Sequence, residues 1–263
     1  MIFLYSHPFS KSGNSQIVPP PPYYYGVEYL GAHVYFDNEK LKGILPSFLN
    51  TDGEGWIYLA DFVTVSNDKW NLMYEDPSFT QYKEAAIALK VNFEGQNFLY
   101  FPFMWVDKDW ALVRGWINGY PKKLATIYLT KLNKLLPEYN TRKENLTLGG
   151  YLLRDSKLIE LRVTLKKKVS SIPLSNFGKT LTIRYFPKTG EKEGEINELV
   201  TIEKVDSRID DIWEGDAEVN IREGINDELE FFIPKKVVAG YSYDYYFKTI
   251  GTKLVKKIEN YSF

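Results

Sequence analysis

The sequence predicts a mainly β (α+β) protein: an antiparallel sheet, closed into a barrel or packed as a sandwich, with a few peripheral helices. Short runs rich in β-branched and aromatic residues recur along the chain, as in Trp56 to Val65 and Thr180 to Phe186. Turns bearing glycine or charge separate them, at Arg154-Asp155-Ser156, Lys188-Thr189-Gly190 and Glu223-Gly224. No repeat of fixed period and no linker composition divides the 263 residues, a length that single all-β domains often reach.

Residues 1–18 carry little pattern and read as a flexible lead, with the domain over 19–263. Pro19 to Pro22 force an extended polyproline II entry, placed directly before Tyr23-Tyr24-Tyr25 as an arm packed on the domain. Glu28 to Phe36 alternates as a strand. Asp37 caps a short helix with Leu41, Ile44 and Leu45 on one face, and Pro46 stops it. Trp56 to Val65 is the next strand, followed by a loop, and then by Tyr82 to Phe93 ending at Glu94-Gly95. Phe98 to Trp105 and Trp110 to Ile117 read as a hairpin around Asp107-Lys108-Asp109. The spacing of Leu129, Leu132 and Leu136 predicts a short helix before Pro137. Strands are then expected over 146–153, 158–165, 180–186, 198–205, 214–221 and 228–233, and the tail Tyr241 to Ile258 ends helically.

Composition removes whole classes of function. With no cysteine there is no disulfide, catalytic thiolate or zinc–thiolate site, and a reducing, cytoplasmic location is expected. His7 and His33, far apart, do not make a multi-histidine metal site. A formal net charge of -1 leaves no electrostatic footprint for nucleic acid or an acidic membrane surface. No apolar run approaches the roughly 18 residues of a membrane span, and the start lacks a basic leader. Walker, Rossmann and zincin motifs are absent.

The chemistry concentrates in Gly115-Trp116-Ile117-Asn118-Gly119-Tyr120-Pro121-Lys122-Lys123-Leu124-Ala125. A lysine amine adds to a ketone only when neutral, and a solvated lysine at pH 7 is about three pKa units from half-neutral. Burial and a neighbouring ammonium both disfavour the charged form. A Lys-Lys pair among Trp, Ile, Tyr and Leu therefore has the composition of a reactive amine. The Tyr-Pro-Lys-Lys-Leu stretch resembles the nucleophile motif of the acetoacetate decarboxylase family, as do Tyr82-Lys83-Glu84 and the region from Glu198 to Tyr245. The resemblance spans roughly residues 19–250 and favours the barrel, or cone, over the sandwich.

That resemblance implies a Schiff-base enzyme acting on a small keto acid, without cofactor or metal, in a homo-oligomer. Lys122 is the nucleophile it implies and Lys123 the cationic neighbour, the arrangement for which acetoacetate decarboxylase is itself the standard example. Glu84 matches the family's active-site glutamate. A second glutamate falls near Ala60 or Asp61. Asp61 shares a strand face with Ile57, Leu59, Val63 and Val65, where a lone carboxylate is costly and therefore a candidate. Tyr82, Tyr120 and Trp116 are the expected substrate contacts. Three departures stand out: Val27 takes the place of the arginine that binds the substrate carboxylate, Gly115 that of an arginine, and Trp116 that of an acidic residue. Decarboxylation of a β-keto acid is the leading expectation. The alternatives are aldol or dehydration chemistry on keto acids through the same imine, or a non-catalytic barrel that binds a small ligand.

Overall fold

A computed structural model describes residues 4–190 and 194–258. The strands in chain order are β1 (Tyr23–Tyr35), β2 (Glu54–Ser66), β3 (Gln81–Phe93), β4 (Gln96–Val106), β5 (Lys122–Leu124), β6 (Thr126–Leu129), β7 (Thr147–Arg154), β8 (Ser156–Lys168), β9 (Lys179–Pro187), β10 (Gly194–Ile221) and β11 (Lys236–Lys257). Helices are few and short: α1 (Asn38–Leu41), α2 (Leu72–Glu75) and α3 (Asp109–Ile117). Asp37 caps α1 as expected, its side chain accepting from the Glu39 amide.

All the strands belong to one sheet. Its order runs β11, β1, β2, β3, β4, β9, β10, and β10 pairs again with β11, so the sheet closes on itself. β8, β7 and β6 extend from the far half of β10. The sheet is mixed: β4 runs parallel to both β5 and β9, and the other named pairs are antiparallel.

Because successive side chains on a strand point to opposite faces, β2 and β3 supply two cores. Trp56, Tyr58, Ala60, Phe62, Tyr82 and Ala86 face the inside of the ring. Ile57, Leu59, Ala85 and Ile87 face outward onto Leu152, Leu161 and Val163 of the covering strands. Each large apolar side chain among them, such as Ile57 or Leu59, taken fully out of water contributes roughly 1.5–3 kcal/mol.

Several local expectations are corrected. Trp110 to Ile117 is not a strand but helix α3, which buries Trp110, Ala111, Arg114 and Gly115, a helical rather than alternating spacing. The leucines at 129, 132 and 136 do not form a helix. Thr126–Leu129 pairs with β7 instead, and Leu135 and Leu136 stand exposed. The expected strands 198–205 and 214–221 are one strand, β10, kept continuous by bulges, with Asp211 at positive φ. Within the expected strand 228–233, Leu229–Phe232 form a single 3₁₀ turn that buries Leu229 and Phe232. The tail is strand β11, whose ladder to β1 and β10 outweighs any helical pattern in its sequence.

Of the flexible lead expected over residues 1–18, residues 1–3 lie outside the described residues, and residues 4–18 fold back on themselves. Ser6 Oγ donates to the Val18 carbonyl and accepts from the Val18 amide, and both residues are buried. The proline arm lies on the domain as expected, with Ser66 Oγ donating to the Pro20 carbonyl and the Asn67 amide to that of Pro22. No helix among the described residues is long and apolar enough to cross a membrane.

Candidate active site

Helix α3 hands the chain to β5 through a tight turn. Asn118 Nδ2 donates to the Arg114 carbonyl, and Gly119 takes φ +83°, where a Cβ would stand 2.9 Å from the Arg184 amide nitrogen. Tyr120 returns its amide to the Gly115 carbonyl, and Pro121 leads into β5, where Lys122 lies opposite Met104 of β4. Trp116 Nε1 donates to the Lys122 carbonyl at 2.9 Å. The Lys122 backbone is thus held by the strand on one side and the helix end on the other.

Its side chain enters the ring over Gly115. A Cβ on Gly115 would lie 2.8 Å from Lys122 Cγ and 2.9 Å from Cε, so only glycine leaves room for the lysine stem. Lys122 Nζ stands 2.7 Å from Glu84 Oε2, with both side chains almost wholly buried. The other carboxylate oxygen, Oε1, accepts from Tyr58 OH at 2.6 Å. Lys122 Nζ also lies 5.2 Å from the Tyr82 ring centre and 5.6 Å from that of Tyr120.

Burial pushes the Lys122 amine below the ordinary lysine range; Glu84 opposes that shift and the Arg114 guanidinium adds to it. Burial, reinforced by Glu84, raises the phenols of Tyr58 and Tyr82 well above theirs, so both stay protonated donors.

The group opens into a cavity of about 890 Å³ inside the ring. Tyr29, Tyr58, Phe62, Tyr82, Phe101 and Tyr120 are among its aromatic walls. Chemically, the set comprises an amine biased toward its neutral form, a carboxylate within proton-transfer distance, and phenols able to donate to a developing oxyanion. Among the described residues no group of three or more His, Cys, Asp or Glu side chains could hold a metal ion.

A family model described as acetoacetate decarboxylase (ADC) matches residues 6–258. The chain belongs to the acetoacetate decarboxylase family. Among solved structures it is similar to an acetoacetate decarboxylase-like enzyme from Sphingomonas wittichii RW1, at 28% identity over 97% of this chain and 99% of that one, with a TM-score of 0.91. The enduracididine biosynthesis enzyme MppR, complexed with pyruvate, is 24% identical over 96% and 97% of the two chains, with a TM-score of 0.85. An acetoacetate decarboxylase from Legionella pneumophila is 16% identical over 92% and 90%, with a TM-score of 0.76. The last two are likenesses of fold. No curated protein matches the chain.

On this acetoacetate decarboxylase fold, Lys122, Glu84, Tyr82 and Tyr120 come together at the cavity, and three other expected site residues do not. Lys123 follows Lys122 on a strand and so points to the opposite face, where its Nζ pairs with buried Asp227 at 2.8 Å. The cation acting on Lys122 is instead Arg114, buried and within 5.0–5.6 Å of the ring centres of Tyr23, Tyr25, Tyr82 and Trp110. Asp61 also lies on the outward face, paired with Lys131, and Ala60 occupies the inward position opposite Glu84. Trp116 is half exposed, and its indole N–H clamps the Lys122 backbone rather than meeting the cavity.

Val27, expected in the place of the family's carboxylate-binding arginine, is buried in the inner core, and no arginine lines the cavity among the described residues. Sequence reasoning missed Tyr58 and the inward placement of Arg114. Tyr58 was within reach, since it lies two residues from Ala60 on the same strand face. The i, i+4 spacing of Trp110 and Arg114 marks their contact only once α3 is known to be a helix.

Proposed function

We propose that the protein is a cofactor-independent lyase that works through an imine between Lys122 and the carbonyl of a keto acid. The observation that carries this reading is the buried Lys122 Nζ, 2.7 Å from Glu84 at the closed end of an aromatic cavity. Neutral Lys122 adds to the ketone carbon, and the carbinolamine loses water to give a protonated imine. With a β-keto acid, the bond to the carboxylate then breaks, carbon dioxide leaves, and the electron pair enters the imine to form an enamine. Protonation at carbon, with Glu84 and Tyr58 managing the proton, and hydrolysis return the ketone and the free lysine. The lysine is the electron sink, so the sequence of steps calls for no metal or organic cofactor.

A second reading keeps the imine and replaces decarboxylation by aldol addition or dehydration. Val27 favours it, because the cavity carries no arginine to seat the carboxylate of a substrate as small as acetoacetate. The similarity in fold to MppR, solved with pyruvate, points the same way. Assembly into a homo-oligomer belongs to the proposal too, and light scattering reads it directly.

The test is borohydride reduction in the presence of acetoacetate, pyruvate and larger keto acids, followed by peptide mass mapping, with Lys122→Ala as control. The expected result is an adduct on Lys122 that is absent from the variant. Carbon dioxide release against condensation products then separates the two reactions. A folded protein that binds these acids without labelling at Lys122 overturns the enzyme reading in favour of a binding barrel.

A further inference from the structure

The cavity is larger and more charged at its open end than a small keto acid requires. Pockets of roughly 300–1,000 Å³ enclose drug-sized ligands, and about 890 Å³ lies near the top of that range. Four lysines and two glutamates line it: Lys122, Lys179, Lys204, Lys253, Glu84 and Glu203. The Lys122–Glu84 pair is buried at one end. The remaining three lysines, against Glu203 alone, belong to the exposed end.

Backbone geometry aims one of these lysines over the cavity. Register breaks between β10 and β11 fall on both sides of Lys204, and Gly251, opposite Glu203, takes φ +149°. A bulge re-aims side chains, and here Glu203, Lys204 and Val205 all line the cavity, which strict alternation forbids. Lys204 Nζ sits 4.9 Å from the Tyr245 ring centre and 4.7 Å from that of Phe247, and it donates to Tyr245 OH at 2.9 Å. Lys253 lies across from Thr201, itself a lining residue. Among the described residues, no carboxylate lies within ion-pair distance of Lys179, Lys204 or Lys253. Like charges gathered at the mouth of a low-dielectric cleft focus its field on an incoming anion.

Resting on the imine reading above, we propose that the mouth lysines Lys204 and Lys253, supported by Lys179, form an anion subsite remote from the reacting carbonyl. They would select a carbonyl substrate with an aromatic body and a second carboxylate at its far end. The aromatic walls receive the body, and the uncompensated positive charge at the mouth receives the distal carboxylate. This division also explains how an anionic substrate is held although no arginine lines the cavity among the described residues. Tight pairing of the reacting carboxylate would stabilise the ground state that decarboxylation must leave.

The test uses aryl methyl ketones with one ring and with two, each with and without a para carboxylate: acetophenone with 4-acetylbenzoate, and the corresponding acetylbiphenyls. Dissociation constants are measured by calorimetry on Lys122→Met, which cannot form an imine, and borohydride trapping is measured on the unmodified protein. The expected result is at least tenfold tighter binding of one carboxylated member than of its neutral partner. That ratio should shrink at high salt and fall at least fivefold when Lys204→Gln and Lys253→Gln are combined with Lys122→Met. Equal affinities within both pairs, or a ratio indifferent to the two substitutions, would overturn the subsite. Retained preference in Lys122→Met with no trapping in the unmodified protein would sink the imine reading and leave the subsite standing.

Discussion

The Lys122 side chain runs across Gly115 with no space between them: a Cβ at residue 115 would stand 2.9 Å from the carbon that bears the amine. Helix α3 and strand β5 meet at that contact, so the reach of Lys122 into the ring depends on a missing side chain in the last turn of the helix. Gly115→Ala should displace the amine from Glu84 while leaving the fold intact, because alanine suits a helix better than glycine. Misplacement by about 1 Å can cost on the order of 10²-fold in rate. The expected outcome is a loss of that order in Lys122 trapping with a melting temperature within a few degrees of the parent. Undiminished trapping would show that the lysine reaches its carbonyl by another path.

Arg114 and Lys122 approach the same Tyr82 ring, with Arg114 Cζ 5.6 Å and Lys122 Nζ 5.2 Å from its centre. Burial holds the lysine amine down, Glu84 pulls it up and Arg114 pushes it down further. Arg114→Met removes a positive charge, so the Lys122 pKa rises and the ascending limb of imine formation moves to higher pH. Activity at neutral pH should fall and recover in alkali. A pH profile that does not move would remove Arg114 from the electrostatics of the site.

Glu84→Gln has the opposite sign on the same axis. Without the carboxylate, the lysine pKa drops and the limb moves to lower pH, yet turnover should fall by roughly 10²–10⁴-fold because the proton carrier is gone. Full turnover with a limb moved to lower pH would mean that Glu84 sets the charge state only.

Lys123→Met tests the reassignment of the second lysine. Its Nζ pairs with Asp227, which is 1% exposed and also within reach of Arg154 and the Trp105 indole. Removing one of several partners of a buried carboxylate should destabilise the fold by about 1–3 kcal/mol. The pH limb of Lys122 should stay in place. Denaturant melts and the trapping profile read the two effects separately, and a displaced limb would restore Lys123 to the site.

Much of this site is legible in the sequence. The Tyr120 to Leu124 motif and Tyr82-Lys83-Glu84 pointed to Lys122 and Glu84, and these do meet at one cavity. The strands expected over Trp56 to Val65, from its β-branched and aromatic composition, and over Tyr82 to Phe93 match β2 and β3. The misreading of helix α3 has a local origin. Where a segment was short and aromatic, as in Trp110 to Ile117, strand and helix patterns overlapped, and burial against the ring decided for the helix.

By itself, the sequence determined the residue types of the reactive pair, the strand-rich fold, and the exclusion of thiol and multi-histidine chemistry. Tertiary structure alone decided which face of each strand looks inward. Both faces of β2 and β3 are buried, one against the covering strands and one around the cavity. Hydrophobicity along either strand therefore carries no mark of which side is the site. That parity sends Lys123 and Asp61 outward, brings Tyr58 in, and leaves Arg114 as the neighbouring cation. Local pattern reports whether a side chain is buried, but only closure of the ring determines what it is buried against.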